Sequence, residues 1–311
     1  MTALRGEWRR NFPMSRLSAW RVGGPAEELF LPADLDDMRA FYETGSRART
    51  AFVIGHGSNL LVRDGGIGGV VARAAPGLSV LRVEKDGRIY AEAGAGCPKL
   101  ARLAADAGFA EAAFLAGVPG TVGGAAAMNA GCEGGEIWTY VEEAAVLEDG
   151  GLRVRPRADF SAGYRSISMK DGAATPFFAA VRLRFSPGDP SAARARVRAM
   201  LRRRARTQPV GSANCGSVFC NPPGGFAAKL IDECGLKGAR VGGATVSQKH
   251  ANFIVNDRRA TAADIENLIF IVREKVRART GVLLSPEVRI AGRKIDSAAP
   301  VHELSGGRYG K

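Results

Sequence analysis

The chain has 311 residues, of which 46% are hydrophobic and 24% charged, and a formal net charge of +13. That length and balance describe an ordinary globular protein of two or three compact units, and set aside a single small domain, a long repeat array and a disordered chain. Five cysteines without a C-x-x-C pair, and only three histidines, exclude a disulfide framework and a zinc cluster, so no metal site is expected.

The first twenty residues are interrupted by Arg5, Glu7, Arg9, Arg10 and Arg16, leaving no apolar run for a secretory signal; a cytoplasmic protein is expected. From Glu27 to Arg73 the pattern predicts a small mixed unit. Glu28 to Leu31 reads as a strand, Leu35 to Thr44 as an amphipathic helix and Ala51 to Ile54 as a strand, with short strands at Leu60 to Val62 and Val70 to Ala72. A hairpin is predicted around Asp86-Gly87, then a helix opened by Pro98 and closed by Gly108, with Leu100, Leu103, Ala104 and Ala107 inward.

No charge occurs between Glu111 and Glu133, long enough to suggest a membrane span. Its many breakers, among them Gly117, Pro119, Gly120, Gly123 and Gly124, predict a turn-rich, ligand-accepting loop instead. Strands are expected near Val141 to Leu147 and Phe177 to Phe185. A basic helix over Pro190 to Arg206 carries arginines at 194, 196, 198, 202, 203, 204 and 206, with Val197, Met200 and Leu201 inward. It reads as a solvated face; no RNP-like motif, zinc finger or zipper accompanies it, so no nucleic-acid partner is expected.

In the last third, Ala227 to Cys234 reads as a helix. A longer helix begins at the capping pattern Thr261 to Asp264 and ends near Gly281, Val282 to Ile290 reads as a strand, and Asp296 to Lys311 as a mobile tail.

Two loops could hold phosphates through backbone amides, since glycine allows both the dihedrals and the close approach. Gly55-His56-Gly57-Ser58-Asn59-Leu60 follows an apolar strand, and Gly117 to Gly124 is the uncharged loop. A tight connection explains the first loop as readily as binding does. It enters a strand rather than a helix, and Gly94-Ala95-Gly96 lacks a third glycine, which disfavours a Rossmann fold. Ser217 and Glu287 are proton-transfer residue types. Alternation over 282–290 puts Leu283, Ser285, Glu287 and Arg289 on one face, although taken singly a turn serine and a solvated strand glutamate are the simpler readings of the two.

Taken in order, Trp20 to Ala26, Gly55 to Val62, Ala116 to Gly124, Met128 to Gly131, Tyr164-Arg165-Ser166, Gly216 to Pro222, Leu230-Ile231-Asp232, Gly242-Gly243-Ala244, Lys249-His250-Ala251 and Pro286 to Arg289 closely resemble the UDP-N-acetylenolpyruvoylglucosamine reductase family over nearly the whole chain. The resemblance implies an α+β protein: a two-subdomain FAD-binding fold of the vanillyl-alcohol-oxidase (PCMH) type over 21–187, with subdomains about 21–76 and 77–187. A basic connecting helix over 188–206, an α+β substrate-binding domain over 207–293 and a tail over 294–311 follow.

The resemblance further implies Arg165, Ser217 and Glu287 as catalytic residues, and Gly55, Gly57, Ser58, Asn59, Leu60, Gly117, Pro119, Gly120, Gly123, Gly124 and Asn129 as FAD contacts. Tyr164, Asn221 and Lys249 would contact substrate, with Arg206 and Lys229 as further candidates for its diphosphate. NADPH would be the reductant and a UDP-linked enolpyruvyl amino sugar the substrate, reduced to UDP-N-acetylmuramate for peptidoglycan synthesis. The absence of a tyrosine-bearing insertion suggests the shorter subtype, and a monomer without membrane insertion is expected. Cys220 and Ser285 depart from the residue types common at their positions. An oxidase or dehydrogenase on the same scaffold would keep the glycine loops and need neither Ser217 nor Glu287.

Overall fold

In the computed structural model, residues 3–44, 49–148 and 151–295 are described. The chain forms two compact units. The first comprises Met1–Arg10, Glu28–His56 and Gly69–Arg204, and the second Asn11–Glu27, Gly57–Gly68 and Ala205–Lys311. Most expected elements form: strands at Pro25–Leu31, Thr50–Ile54, Leu60–Val62 and Ile67–Arg73, and helices at Leu35–Glu43, Cys97–Asp106, Ala227–Glu233 and Ala262–Thr280.

In the first unit a four-stranded sheet runs in the order Glu7–Pro13, Pro25–Leu31, Ile67–Arg73, Thr50–Ile54. The last two strands are parallel and end level with one another, Ile54 opposite Arg73. Helix Leu35–Glu43 lays Met38 and Phe41 on Phe30, Val70 and Ala72 of this sheet. Its N-cap Asp34 accepts a hydrogen bond from Asp37 N at 2.9 Å, a contact worth about 1 kcal/mol.

A five-stranded antiparallel sheet follows, in the order Gly151–Pro156, Val141–Glu148, Phe177–Leu183, Ile89–Glu92, Leu81–Val83. Its apolar face buries Ile89, Ala91, Val146, Phe178 and Val181 together with Leu100 and Ala104 of helix Cys97–Asp106. The uncharged stretch is more regular than its breakers predict: a 3-10 segment, Ala110–Gly117, and a helix, Val122–Ala127, flank a short turn. It is buried core rather than open loop, with Ala112, Leu115, Val122 and Ala126 fully enclosed.

The second unit carries a four-stranded antiparallel sheet, in the order Ala213–Asn214, Ile254–Asn256, Ala244–Val246, Arg240–Val241. Helix Ala262–Thr280 packs Ile265, Leu268, Ile269, Val272 and Val276 into its core. The Thr261 and Asp264 side chains form the predicted capping box at the helix start, and Gly281 ends the helix at φ +74°. Early chain segments belong to this core: the Trp20 indole N–H donates to Ile254 O at 2.7 Å, and Asn256 donates back to Trp20 O at 2.9 Å.

Three expectations need correction. Leu201 of the basic helix, Pro190–Thr207, is 46% exposed, and Ala193 and Met200 alone are buried there, so the inward stripe is narrower than its periodicity suggests. The strand expected over 282–290 shrinks to Arg289–Ala291, because residues 285–288 pair irregularly with the serine segment described below. Leu284 and Val288 are nevertheless buried and Leu283 exposed, as alternation requires. Leu103 and Ala107 are only partly buried, Ala101 and Ala105 taking the inner positions. The tail expected over 296–311 lies outside the described residues.

Candidate active site

Within the first unit three glycine-bearing segments converge. A Cβ on Gly55 would stand 2.2 Å from Thr121 Oγ1, one on Gly96 would stand 3.5 Å from the His56 ring, and Gly96 and Thr121 form an isolated bridge. Gly123 lies against Ala93, whose Cβ would be 2.7 Å from an added methyl. Gly55 and Gly123 need to be glycine for packing. Gly96 and Gly124 do not, since an added Cβ at either would meet nothing nearer than 3.5 Å, an ordinary contact distance. Thr121 caps helix Val122–Ala127, its hydroxyl accepting from Gly124 N. Beyond Gly55-His56 the first loop continues into the second unit, where Gly57 has φ +65° and lies against Leu17 O.

Tyr164 and Arg165 occupy the two-residue turn of a hairpin, Phe160–Gly163 with Ser166–Met169, which the periodicity did not predict. Arg165 takes φ +52°, a conformation costly for a residue with a Cβ and one that concentrates at functional sites. Its guanidinium donates to Gly131 O at 2.9 Å and lies 5.0 Å from the Tyr164 ring centroid. Asn129 braces the same hairpin. Its side-chain N–H groups donate to Gly163 O at 2.9 Å and to the Glu136 carboxylate at 2.8 Å, while its oxygen accepts from Trp138 N. The carboxamide expected to meet FAD is therefore occupied within the protein.

In the second unit, main-chain pairing sets the segment that carries Ser217 beside the one that carries Glu287. Glu287 N donates to Val218 O at 2.8 Å, Cys220 N donates to Ser285 O at 2.9 Å, and Phe219 and Pro286 form an antiparallel bridge. Gly216 turns the chain before the serine at φ +76°, its N–H donating to the Asn214 side chain. Buried Asn252 holds the segment from behind, its carboxamide accepting from Phe219 N at 2.9 Å and donating to Phe219 O at 2.8 Å. The Asn221 side-chain oxygen accepts from Ala227 N, fixing the next helix start. Lys249 donates to Ala205 O and, with Lys229, Lys237, His250, Asp232 and Glu233, lines a cavity of about 540 Å³. Arg206 does not line it.

Comparison with known proteins decides the affiliation. A domain described as UDP-N-acetylenolpyruvoylglucosamine reductase, C-terminal domain, matches residues 208–291, and an FAD binding domain matches 26–155. The UDP-N-acetylenolpyruvoylglucosamine reductase of Methylococcus capsulatus is 49% identical over 93% of this chain and 94% of its own length. That of Alkalilimnicola ehrlichii is 51% identical over 92% and 95%. This chain belongs to the UDP-N-acetylenolpyruvoylglucosamine reductase family. The crystal structure of the Thermus caldophilus family member superposes with a TM-score of 0.78 at 33% identity, over 93% of this chain and 99% of that one. The fold is thus that of the reductase family, a two-subdomain FAD-binding region followed by an α+β domain, and the chain is a flavin-dependent oxidoreductase of that family.

The residues present fit the cofactor the family implies. Glycine at 55, 94, 96, 120, 123 and 124 leaves the main chain bare at those positions, with the amides of Gly94, Ala95, Val122 and Gly123 donating to main-chain carbonyls of the protein. Arg73, near enough to His56 to lower its pKa, has a buried Nε with no hydrogen-bond partner. Among the described residues no cluster of histidine, cysteine and carboxylate could hold a metal, and no helix is long and apolar enough to cross a membrane. Periodicity did not single out Thr121, Asn252 or Asn214, since an isolated polar residue gives no periodic signal before its partners fold around it.

Proposed function

We propose that this protein reduces the enolpyruvyl group of UDP-N-acetyl-3-O-(1-carboxyvinyl)-glucosamine to the lactyl ether of UDP-N-acetylmuramate. The observation that carries this reading is the pairing of Val218 with Glu287, which sets the serine and glutamate segments side by side within the family's own C-terminal domain. An oxidase of similar fold has no need of that arrangement.

FAD, when bound, supplies the relay of a hydride from NADPH to the terminal alkene carbon. Ser217 holds the proton that completes the product: its O–H bond breaks as a C–H bond forms at the neighbouring carbon, and solvent reprotonates the oxygen. A serine hydroxyl is a weak acid, so this needs a strongly basic carbon acceptor and a fixed hydroxyl. The clamp of Asn252 on Phe219 and the turn at Gly216 hold the main chain on either side of the serine. Protonated Glu287 and the Arg165 guanidinium stabilise the negative charge that develops on the enolate and carboxylate.

The glycine loops, with Ser58, Asn59, Leu60, Pro119 and Gly120, receive the cofactor. Tyr164, Asn221 and Lys249 bind the sugar nucleotide, and the clustering of Lys229 and Lys249 at one cavity favours them over Arg206 for its diphosphate. The functional division follows the reading: 21–187 for FAD, with subdomains about 21–76 and 77–187, a connecting helix over 188–206, substrate binding over 207–293 and a tail over 294–311. The protein acts as a cytoplasmic monomer of the shorter subtype. Anaerobic stopped-flow tests the assignment. Ser217→Ala should be reduced by NADPH at the normal rate and reoxidised by the enolpyruvyl sugar nucleotide about a hundredfold or more slowly, the scale of a lost general acid. Equal reoxidation rates would overturn the role of Ser217.

A further inference from the structure

Arg73 of the first unit combines partial burial with the lack of a carboxylate partner among the described residues. Arg73 is the last residue of strand Ile67–Arg73, and its parallel neighbour Thr50–Ile54 ends opposite it, directly before Gly55-His56. Ala74 N donates to Ile54 O at 2.9 Å, which holds the two strand ends together. Its Nε is buried without a hydrogen-bond partner. No carboxylate pairs with it among the described residues, although Arg5, Arg9 and Arg49 of the same unit all have one.

The charges around it repel rather than compensate. Burial, and then the neighbouring Arg9, push the Arg73 guanidinium below its ordinary value. Burial and Arg73 together push His56 down, which keeps that imidazole neutral and able to donate one hydrogen bond. A partly desolvated cation without an anion is costly unless a ligand supplies the anion. The carboxyl edge of parallel strands, where the chain enters a glycine-rich turn, is where nucleotide phosphates bind in open sheets. His56, which feels the Arg73 charge, also stands next to Gly96, where an added Cβ would lie 3.5 Å from its ring, so the imidazole links the guanidinium to the bare backbone of 94–96.

We propose that Arg73 is the side-chain counter-ion for a nucleotide phosphate, that of the FAD diphosphate, with His56 as an auxiliary donor. The inference rests on the FAD reading and adds to the backbone cradle a charged residue of this chain. A guanidinium matches a phosphate with two parallel N–H bonds, which an ammonium cannot reproduce. The phosphate of NADPH has the same chemistry, so the experiment separates the two sources.

Apoprotein of the wild type, Arg73→Gln and Arg73→Lys is titrated with FAD and with riboflavin, following flavin fluorescence, and the KM for NADPH is measured on FAD-saturated enzyme. Arg73→Gln should bind FAD about tenfold or more weakly and Arg73→Lys about threefold, the scale of a charge-assisted hydrogen bond, with riboflavin affinity and the KM for NADPH unchanged. If Arg73→Gln does not fold, the Arg73→Lys titration decides. Unchanged FAD affinity in the folded variants overturns the proposal, as does a rise confined to the KM for NADPH, which would assign the anion to the reductant. A wild type that takes up no FAD would instead sink the flavoenzyme reading itself.

Discussion

The side-chain amide of Asn59 donates to the main-chain carbonyl of Glu287 at 3.1 Å, and Arg289 N donates to Asn59 O at 3.1 Å. The end of the first glycine loop is thereby stitched to the segment bearing Glu287, and strand Leu60–Val62 continues the pairing with Arg289–Ala291. A residue expected to touch FAD thus also positions Glu287. Asn59→Ala should lower stability by about 1 kcal/mol, the worth of one such bond. It should also slow flavin reoxidation by substrate more than reduction by NADPH. Equal slowing of both half-reactions would separate Asn59 from Glu287.

Asn252 is 4% exposed and satisfies both the N–H and the C=O of Phe219. Asn252→Leu leaves two buried backbone groups unpaired, at about 1–3 kcal/mol each. Urea denaturation should show a correspondingly lower midpoint with an unchanged slope. A midpoint within error of the wild type would mean that the serine segment does not depend on this clamp.

Gly57 and Gly124 serve different ends. Gly57→Ala places a Cβ at φ +65° and 2.1 Å from Leu17 O, so a loss above about 2 kcal/mol is expected in the apoprotein. Gly124→Ala makes only an ordinary 3.5 Å contact with Thr121 Oγ1 on an exposed helix turn, and should raise apoprotein stability by about 0.5–1 kcal/mol while weakening FAD binding. Thermal melts and FAD titrations of both variants test the division; undiminished FAD affinity in Gly124→Ala would remove Gly124 from the cradle.

Arg63 donates twice to Glu266, at 2.8 and 2.9 Å, and these bonds hold the Glu266 carboxyl below its ordinary value against the opposing effect of burial. A depressed carboxyl contributes stability above its unfolded pKa and loses it as pH falls through the folded one. The wild type should therefore melt above Glu266→Gln at pH 7, and the gap should close below about pH 4. A gap independent of pH would show that packing, not charge, is what the substitution removes.

The five cysteines should divide by burial. Burial pushes the Cys97 and Cys215 thiols up to about 12, so neither ionises at pH 8, whereas Cys132 and Cys220 are half-buried. Alkylation of native protein followed by peptide mass spectrometry should mark Cys132 and Cys220 first, with the enolpyruvyl sugar nucleotide slowing Cys220. Early labelling of Cys97 or Cys215 would contradict the packing described for them.

Local periodicity was enough for the long elements. Helix Ala262–Thr280 announces its cap, its buried stripe and its Gly281 stop in contiguous residues, and the strands flanking the first glycine loop do the same, because each signal repeats along a few turns or pleats. Motif order sufficed for the family. What the linear chain could not express is the partner of a single polar atom: that Asn129 spends its carboxamide on Gly163, that Trp20 seals against Ile254, and that Glu287 hangs from Val218 and Asn59. Leu201 and the short strand at Arg289–Ala291 failed their pattern for the same reason, since burial and pairing depend on a surface supplied from elsewhere in the chain. The sequence determined which residues are chemically able to act. Tertiary structure decided which of them meet, because a hydrogen bond between residues 228 positions apart has no counterpart in local order.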